Sequence, residues 1–416
     1  MQKLRINIDF LFQLILYKAL LIWVYKIILV PTFGYEGYAY EPNLIHFISG
    51  WVISLALCLI YITNRLIRSF FKILLVTYAI PLIVLFENNQ NFSLIDLLIL
   101  LIPLLSFVRL RYFKVKIPER MESTFKSNKW KWIFSVIGTL ILLRLGSISG
   151  WKSNLQFSDV YSLREEYGVT QNSGIFGYLN NWTAKIILPL GVVHYYRSKK
   201  YITTIILLTL SFFMFNFTGH KAILIIPISA IFIYNILAKK INWILYINYI
   251  LAIIIVFSKN AIILTLVSLF VRRVLFLPGL ISFNYLEFFK ENKVFYSHAF
   301  LKNLLDYHYQ YPPQIMIGNH MNLDGSWVNS GFASTGYMNL GVFGVLLYSI
   351  ILRMIFSLIL GADSNNKTII TVLCLSTITI FTSAGLLTTI LTNGLILLII
   401  YAIIHETKNR NNYDAA

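Results

Sequence analysis

Hydrophobic residues in this chain fall in long unbroken runs, not at the alternate spacing of a half-buried strand. A helix needs about 20 mostly apolar residues to cross a bilayer. Twelve segments qualify, at approximately 10–30, 44–63, 70–86, 92–108, 131–149, 175–196, 201–217, 221–238, 241–257, 337–360, 368–386 and 388–404. The first is interrupted by Lys18 and Lys26, and the last two share a very short turn. This pattern predicts an all-α polytopic integral membrane protein of about twelve transmembrane helices.

Basic residues set the orientation, because cytoplasmic loops collect Lys and Arg. With both termini cytoplasmic, the cytoplasmic loops hold 21 of the 35 Lys and Arg, and the external loops hold 9. Ten of the 17 acidic residues fall outside. The net charge of +18 is therefore mostly topogenic. Its densest patch, Arg109 to Lys131, is expected to lie against anionic headgroups, with nucleic acid excluded as a partner.

Composition narrows the class further. Of 416 residues, 57% are hydrophobic and 12% charged, with a mean hydropathy of +0.71. Soluble chains carry roughly a quarter charged residues, so a soluble globular enzyme is excluded. The modest Gly and Pro counts (21 and 10) and 16% aromatics exclude collagen-like and disordered chains. Cys58 and Cys374 lie inside apolar runs and offer neither a disulfide framework nor a metal-thiolate spacing. The first apolar run lacks a small-residue cleavage site and reads as a signal anchor. The chain has no internal repeat and no nucleotide-binding glycine loop, so ATP-driven transport is not expected.

Three stretches follow: residues 1–257, with nine spans and a moderate external loop at 150–174; 258–336, a large external loop with short or re-entrant helices; and 337–416, with three spans and a short cytoplasmic tail. Long non-spanning segments are usually functional. The apolar run 261–271 is too short to cross and is expected to lie in the interface or re-enter partway. It leads into Arg272-Arg273 and then Pro278-Gly279, which reads as a helix stop. Guanidinium is always charged, and its planar fork suits phosphate oxygens; snorkelling to lipid phosphates is the plainer role. Arg144 near the outer end of the fifth span, Lys185 within the sixth, and His220-Lys221 in the turn between the seventh and eighth add cations at the same leaflet. Intramembrane ionisable groups usually face a polar cavity or a partner. Arg144, Lys221, Arg272 and Arg273 are expected to converge on one external anion-binding cavity.

Candidate bases in the large loop are His320, Asp324 and Asp306, beside His298 and His308; the shorter loop offers Asp159, Glu165 and Glu166. Their spacing matches no metal-ligand pattern, so neither a metal nor another cofactor is expected. Tyr307, Tyr309, Tyr311 and Trp327 suit a sugar-stacking surface or an interfacial aromatic belt.

The stretch from Arg272-Arg273 through Pro278-Gly279 to Tyr285-Leu-Glu-Phe-Phe resembles part of the periplasmic loop of bacterial O-antigen polymerases of the Wzy type. So does Asn329-Ser-Gly-Phe-Ala-Ser-Thr-Gly336-Tyr-Met-Asn339-Leu-Gly341-Val-Phe-Gly344, and the Phe217-Thr-Gly219-His220-Lys221 turn is similar to another recurrent element. The resemblance implies a metal-independent, GT-C-like glycosyltransferase of the bacterial inner membrane, with its active site facing the periplasm. A chain on undecaprenyl pyrophosphate is transferred to the non-reducing end of a new lipid-linked repeat unit. Its partners would be those lipid-linked oligosaccharides, membrane lipids and, as an open question, a chain-length regulator. Some members have loops with spaced Arg and Gly residues; here Arg164 to Gly174 comes one residue short of that spacing. In this scheme Arg272 and Arg273 clamp the pyrophosphate, with Lys221 and Arg144 supporting.

An O-antigen ligase shares the expected architecture. Ligases carry a His-Asn or His-Ser pair near the end of the loop, and here Met321 follows His320. A lipid-linked oligosaccharide flippase also suits twelve spans, but short loops and symmetric repeats would be expected of it.

Overall fold

The computed structural model describes residues 8–62, 64–108, 110, 129–151, 174–238, 242–323, 325–363 and 366–403. Among these residues there is no strand. In chain order the helices are α1 (Ile8–Glu36), α2 (Leu44–Leu59), α3 (Arg65–Asn88), α4 (Leu94–Phe107), α5 (Lys129–Ile148), α6 (174–197), α7 (Tyr201–Thr218), α8 (Lys221–Ala238), α9 (Trp243–Val256), α10 (Ala261–Phe288), α11 (Pro313–His320), α12 (Phe332–Asp363), α13 (Lys367–Thr382), α14 (Leu386–Leu391) and α15 (395–403). Six of them, α1, α3, α7, α8, α10 and α12, are long and apolar enough to cross a bilayer. The chain is a helical membrane protein.

Several expected spans are shorter than their apolar runs. The helix expected over 44–63 ends at Leu59, where Ile60 turns extended. The one expected over 92–108 tightens into a 3₁₀ helix from Ile102, with Pro103 in its first turn.

Four helices widen into π turns: Tyr25–Leu29 in α1, Leu75–Ala79 in α3, Thr183–Ile187 in α6 and Val267–Phe276 in α10. Each time a proline is the second residue after the π turn: Pro31, Pro81, Pro189 and Pro278. Proline lacks an N–H, and its ring collides with the carbonyl four residues back. A wider turn moves that carbonyl aside, and the helix continues. This corrects the expected stop at Pro278-Gly279, because α10 runs on to Phe288.

The chain divides into two compact units. The first comprises Met1–Leu110, Lys240–Arg353 and Ile378–Leu386; the second comprises Arg111–Lys239, Met354–Thr377 and Leu387–Ala416. Within the first, α1 and α9 run parallel. Asn242 Nδ2 donates to Asp9 Oδ2 at 2.8 Å, and Asn248 Nδ2 to Gln13 Oε1 at 2.9 Å. α3 runs the same way, with Lys72 over the Phe10 ring and Tyr17 Oη donating to the Val76 carbonyl at 2.8 Å. α2 is antiparallel to α3, as Glu41 N–H bonds the Asn88 carbonyl and His46 stacks on Phe86. α4 is also antiparallel to α3: Tyr78 Oη bonds the Leu100 carbonyl, and Phe70 meets Phe107.

Three glycines allow α12 its shape. Gly341 has φ 63°, ψ −149°, a conformation left almost entirely to glycine, and it kinks the helix inside the span expected at 337–360. Gly336 and Gly344 then touch across the kink, where a Cβ on Gly344 would lie 2.1 Å from the Gly336 carbonyl oxygen. Gly341→Ala is expected to cost about 1–3 kcal/mol, read as a lower Tm of the detergent-purified protein. An unchanged Tm would contradict the kink's role.

Candidate functional site

Helix α10 is long enough to span, but its contacts carry it across one end of the first unit. Arg272 meets Glu36 at the C-terminal end of α1, and Phe283 stacks on Phe92 just beyond the C-terminal end of α3. Because α1 and α3 are parallel, both contacts lie at the same end of the bundle. Between them Phe276 packs on Tyr25, and Gly279 sits on Leu82 and Leu85, where any side chain would collide.

Arg272 is 6% exposed and Glu36 8%. The guanidinium bonds Glu36 Oε1 through Nη1 and Ser268 Oγ through Nη2 at 3.1 Å, and lies 4.5 Å from the Phe33 ring centroid. Arg272, expected to clamp the pyrophosphate together with Arg273, holds the Glu36 carboxylate. Arg273 beside it is exposed. Three buried atoms around the pair have no partner among the described residues: Arg272 Nε, Glu36 Oε2 and Tyr38 Oη. Tyr38 is 2% exposed and packs edge-on against Tyr25. Buried polar atoms are rarely left unbonded, and here a donor, an acceptor and a hydroxyl lie unbonded in one cluster.

A second cluster forms at the other end of α10. His320, the last residue of α11, places Nε2 4.0 Å from Glu287 Oε2, and its ring packs 5.4 Å from that of Phe288. Tyr309 bridges Phe288 and Phe289, Tyr307 packs on Tyr309, and His298 faces Tyr307. Burial pushes the Tyr307 phenol up to about 12, with Tyr309 adding to it. Asp306 and His308 are exposed in the same loop. Along α10, Arg272 and Glu287 are separated by roughly 20 Å. The expected clamp and His320 therefore do not meet on one phosphate–sugar bond.

Burial lowers the pKa of His298, and its Nδ1 is buried without a partner among the described residues. A depressed histidine pKa means the unfolded chain binds the proton first, so folding weakens as pH falls below about 6.5. Protection factors of residues 294–309, the exchange rates corrected for the intrinsic pH dependence of amide exchange, are expected to fall between pH 7 and 5 and to stay level in His298→Asn. Protection that falls equally in the variant would contradict this.

The second unit gathers the other expected cations around one apolar core. Ile141, Leu145, Ala184, Leu188, Met214, Phe217 and Ile223 pack together from α5, α6, α7 and α8. Arg144, Lys185 and the His220-Lys221 turn border this core in sequence. Arg144 lies 3.9 Å over the Phe176 ring, and Lys185 Nζ donates to Asn393 Oδ1 at 2.6 Å from within the π turn of α6. Gly219 (φ 65°) ends α7 in the left-handed conformation, its N–H on the Phe215 carbonyl, and His220 N–H donates to Thr218 Oγ1 at 3.3 Å. Arg144 and Lys221 thus belong to the second unit, and Arg272 and Arg273 to the first. Asp324 and Arg164 lie outside the described residues, as do Asp159, Glu165 and Glu166.

Two carboxylates were missed in the sequence. Glu36 follows the first apolar run, and Glu87 falls one residue past the third expected span. The available signal was that each buried cation needs a counter-charge. No family model, curated protein or solved structure matches this chain.

Proposed function

We propose that this protein polymerises lipid-linked oligosaccharide repeat units at the outer face of a bacterial inner membrane. The growing chain leaves its undecaprenyl pyrophosphate carrier and joins the non-reducing end of a new lipid-linked unit. The observation that carries this proposal is the buried Arg272 cluster on α10, with Arg273 exposed beside it, at one end of the helical bundle. A departing pyrophosphate is a good leaving group once fixed cations take up its charge in a water-poor place, without a metal. The aromatic loop before α11, with His320 at the end of that helix, lies far enough along α10 to hold sugars distant from the reacting bond.

The proposal includes twelve spans in a GT-C-like arrangement, with both termini cytoplasmic. The parallel run of α1, α3 and α9, antiparallel to α2 and α4, supports alternating spans. The shorter apolar helices would cross with the help of their flanking residues.

Arg273→Ala tests the function without disturbing a buried pair. In the source strain lacking the native gene, the wild-type gene is expected to restore a surface-polysaccharide ladder. Arg273→Ala, at equal protein level, is expected to leave core carrying a single repeat. An unchanged ladder would refute the clamp. Bare core with long polymer retained on its lipid carrier would instead indicate a ligase.

A further inference from the structure

We infer that Glu36 is the general base of this site, receiving the acceptor sugar's hydroxyl proton within the buried polar cluster it forms with Arg272 and Tyr38. This rests on the proposed glycosyl transfer and adds a residue to its machinery.

A base for glycosyl transfer must touch the hydroxyl whose oxygen attacks the anomeric carbon, at about 2.6–3.2 Å between heavy atoms. That carbon is one bond from the leaving phosphate oxygen, so base and phosphate clamp must be close neighbours. His320 fails this requirement, because its partner Glu287 lies roughly 20 Å along α10 from Arg272. Glu36 meets it, since one of its oxygens is already on the Arg272 fork.

The cluster's unbonded atoms suit a hydroxyl. Among the described residues, Glu36 Oε2 is an acceptor without a donor, Arg272 Nε–H a donor without an acceptor, and Tyr38 Oη can serve either way. A sugar hydroxyl gives its proton to the first and accepts from the second or third. The site is also held in place from several sides. Glu36 closes the C-terminal end of α1 in a 3₁₀ turn, followed by Gly37 in the left-handed conformation. Tyr25 Oη bonds the Ala39 carbonyl at 2.7 Å, fixing the chain that carries Tyr38. Ser268 and Phe33 hold the guanidinium.

The acceptor oxygen forms its bond to the anomeric carbon of the donor chain as its proton passes to Glu36 Oε2. The bond from that carbon to the phosphate oxygen breaks, and its electron pair leaves on the pyrophosphate, whose charge faces Arg273 and Arg272. Glu36 then releases the proton to water.

The test uses the full chain in proteoliposomes with a synthetic undecaprenyl-pyrophosphate repeat unit as donor and a fluorescent lipid-linked repeat unit as acceptor, each varied in turn, following polymer by gel. Glu36→Gln keeps an oxygen for Arg272 but cannot take a proton. It is expected to lower kcat by about 10²–10⁴-fold and to leave the donor KM within about threefold. Tyr38→Phe is expected to fold normally and to raise the acceptor KM. If Glu36→Gln does not fold, Glu36→Asp decides, because it keeps the charge pair and withdraws the carboxylate by one methylene. A kcat at least tenfold lower at unchanged Tm and donor KM supports the inference. Wild-type kcat in whichever of these two variants folds would overturn it, leaving the proposed polymerase intact. Wild-type protein that makes no polymer would sink both.

Discussion

Arg272→Ala is expected to abolish polymer formation and to destabilise the protein by about 3–5 kcal/mol, the usual cost of breaking a buried ion pair. The cost comes from what remains. Glu36, 8% exposed, would be left buried without the guanidinium that compensates it. Ser268 Oγ would lose its donor and Phe33 its cation. Stability and chemistry can be separated by removing both charges. Arg272→Met with Glu36→Leu is expected to recover most of the Tm, since apolar replacements of buried pairs are often neutral or stabilising. It should still make no polymer. A double variant that polymerises would contradict any chemical role for the pair; one as unstable as Arg272→Ala would contradict the desolvation account.

The second large effect lies deeper in the first unit. Lys18 and Glu87 are each 1% exposed and meet at 2.6 Å. Lys18 also donates to Ser54 Oγ at 3.1 Å and lies 4.0 Å from the Trp51 ring centroid. The carboxyl presses so closely on α2 that a Cβ on Gly50 would fall 2.1 Å from Glu87 Oε1. Ionisable groups inside a membrane are tolerated when paired. Lys18→Met alone is expected to cost about 3–5 kcal/mol, and Lys18→Met with Glu87→Leu to return close to wild type. Thermal unfolding in detergent measures both. Near-additive losses in the double variant would show that the two residues act separately.

Helix positions were largely legible because apolar length is a one-dimensional signal. Pairings were not. Lys18 appears in the sequence only as an interruption of an apolar run, and its partner Glu87 lies 69 positions away. Arg272 drew notice as one of two adjacent guanidiniums, while Glu36, 236 positions earlier, looked like an ordinary loop residue. Nothing local connects such pairs; only the parallel packing of α1 with α3 and the passage of α10 over their ends do so.

Pro278-Gly279 misled for a different reason. Proline reads as a stop when its cost falls on an α-helical turn, and here a ten-residue π stretch comes just before it. The regular placement of Pro31, Pro81, Pro189 and Pro278 after π turns makes that pattern recognisable in hindsight. The Asn329–Gly344 stretch drew notice only through a resemblance, whereas the kink at Gly341 inside it was not read from the sequence.

The most direct measurement is turnover by the purified protein alone. The full chain in proteoliposomes would be given one synthetic undecaprenyl-pyrophosphate repeat unit, without ATP or added metal. Products of two, three and more repeats on the same lipid carrier, with undecaprenyl pyrophosphate released one for each bond formed, are the predicted result. Repeat units that stay single but move from one leaflet to the other would contradict the account and make the protein a transporter.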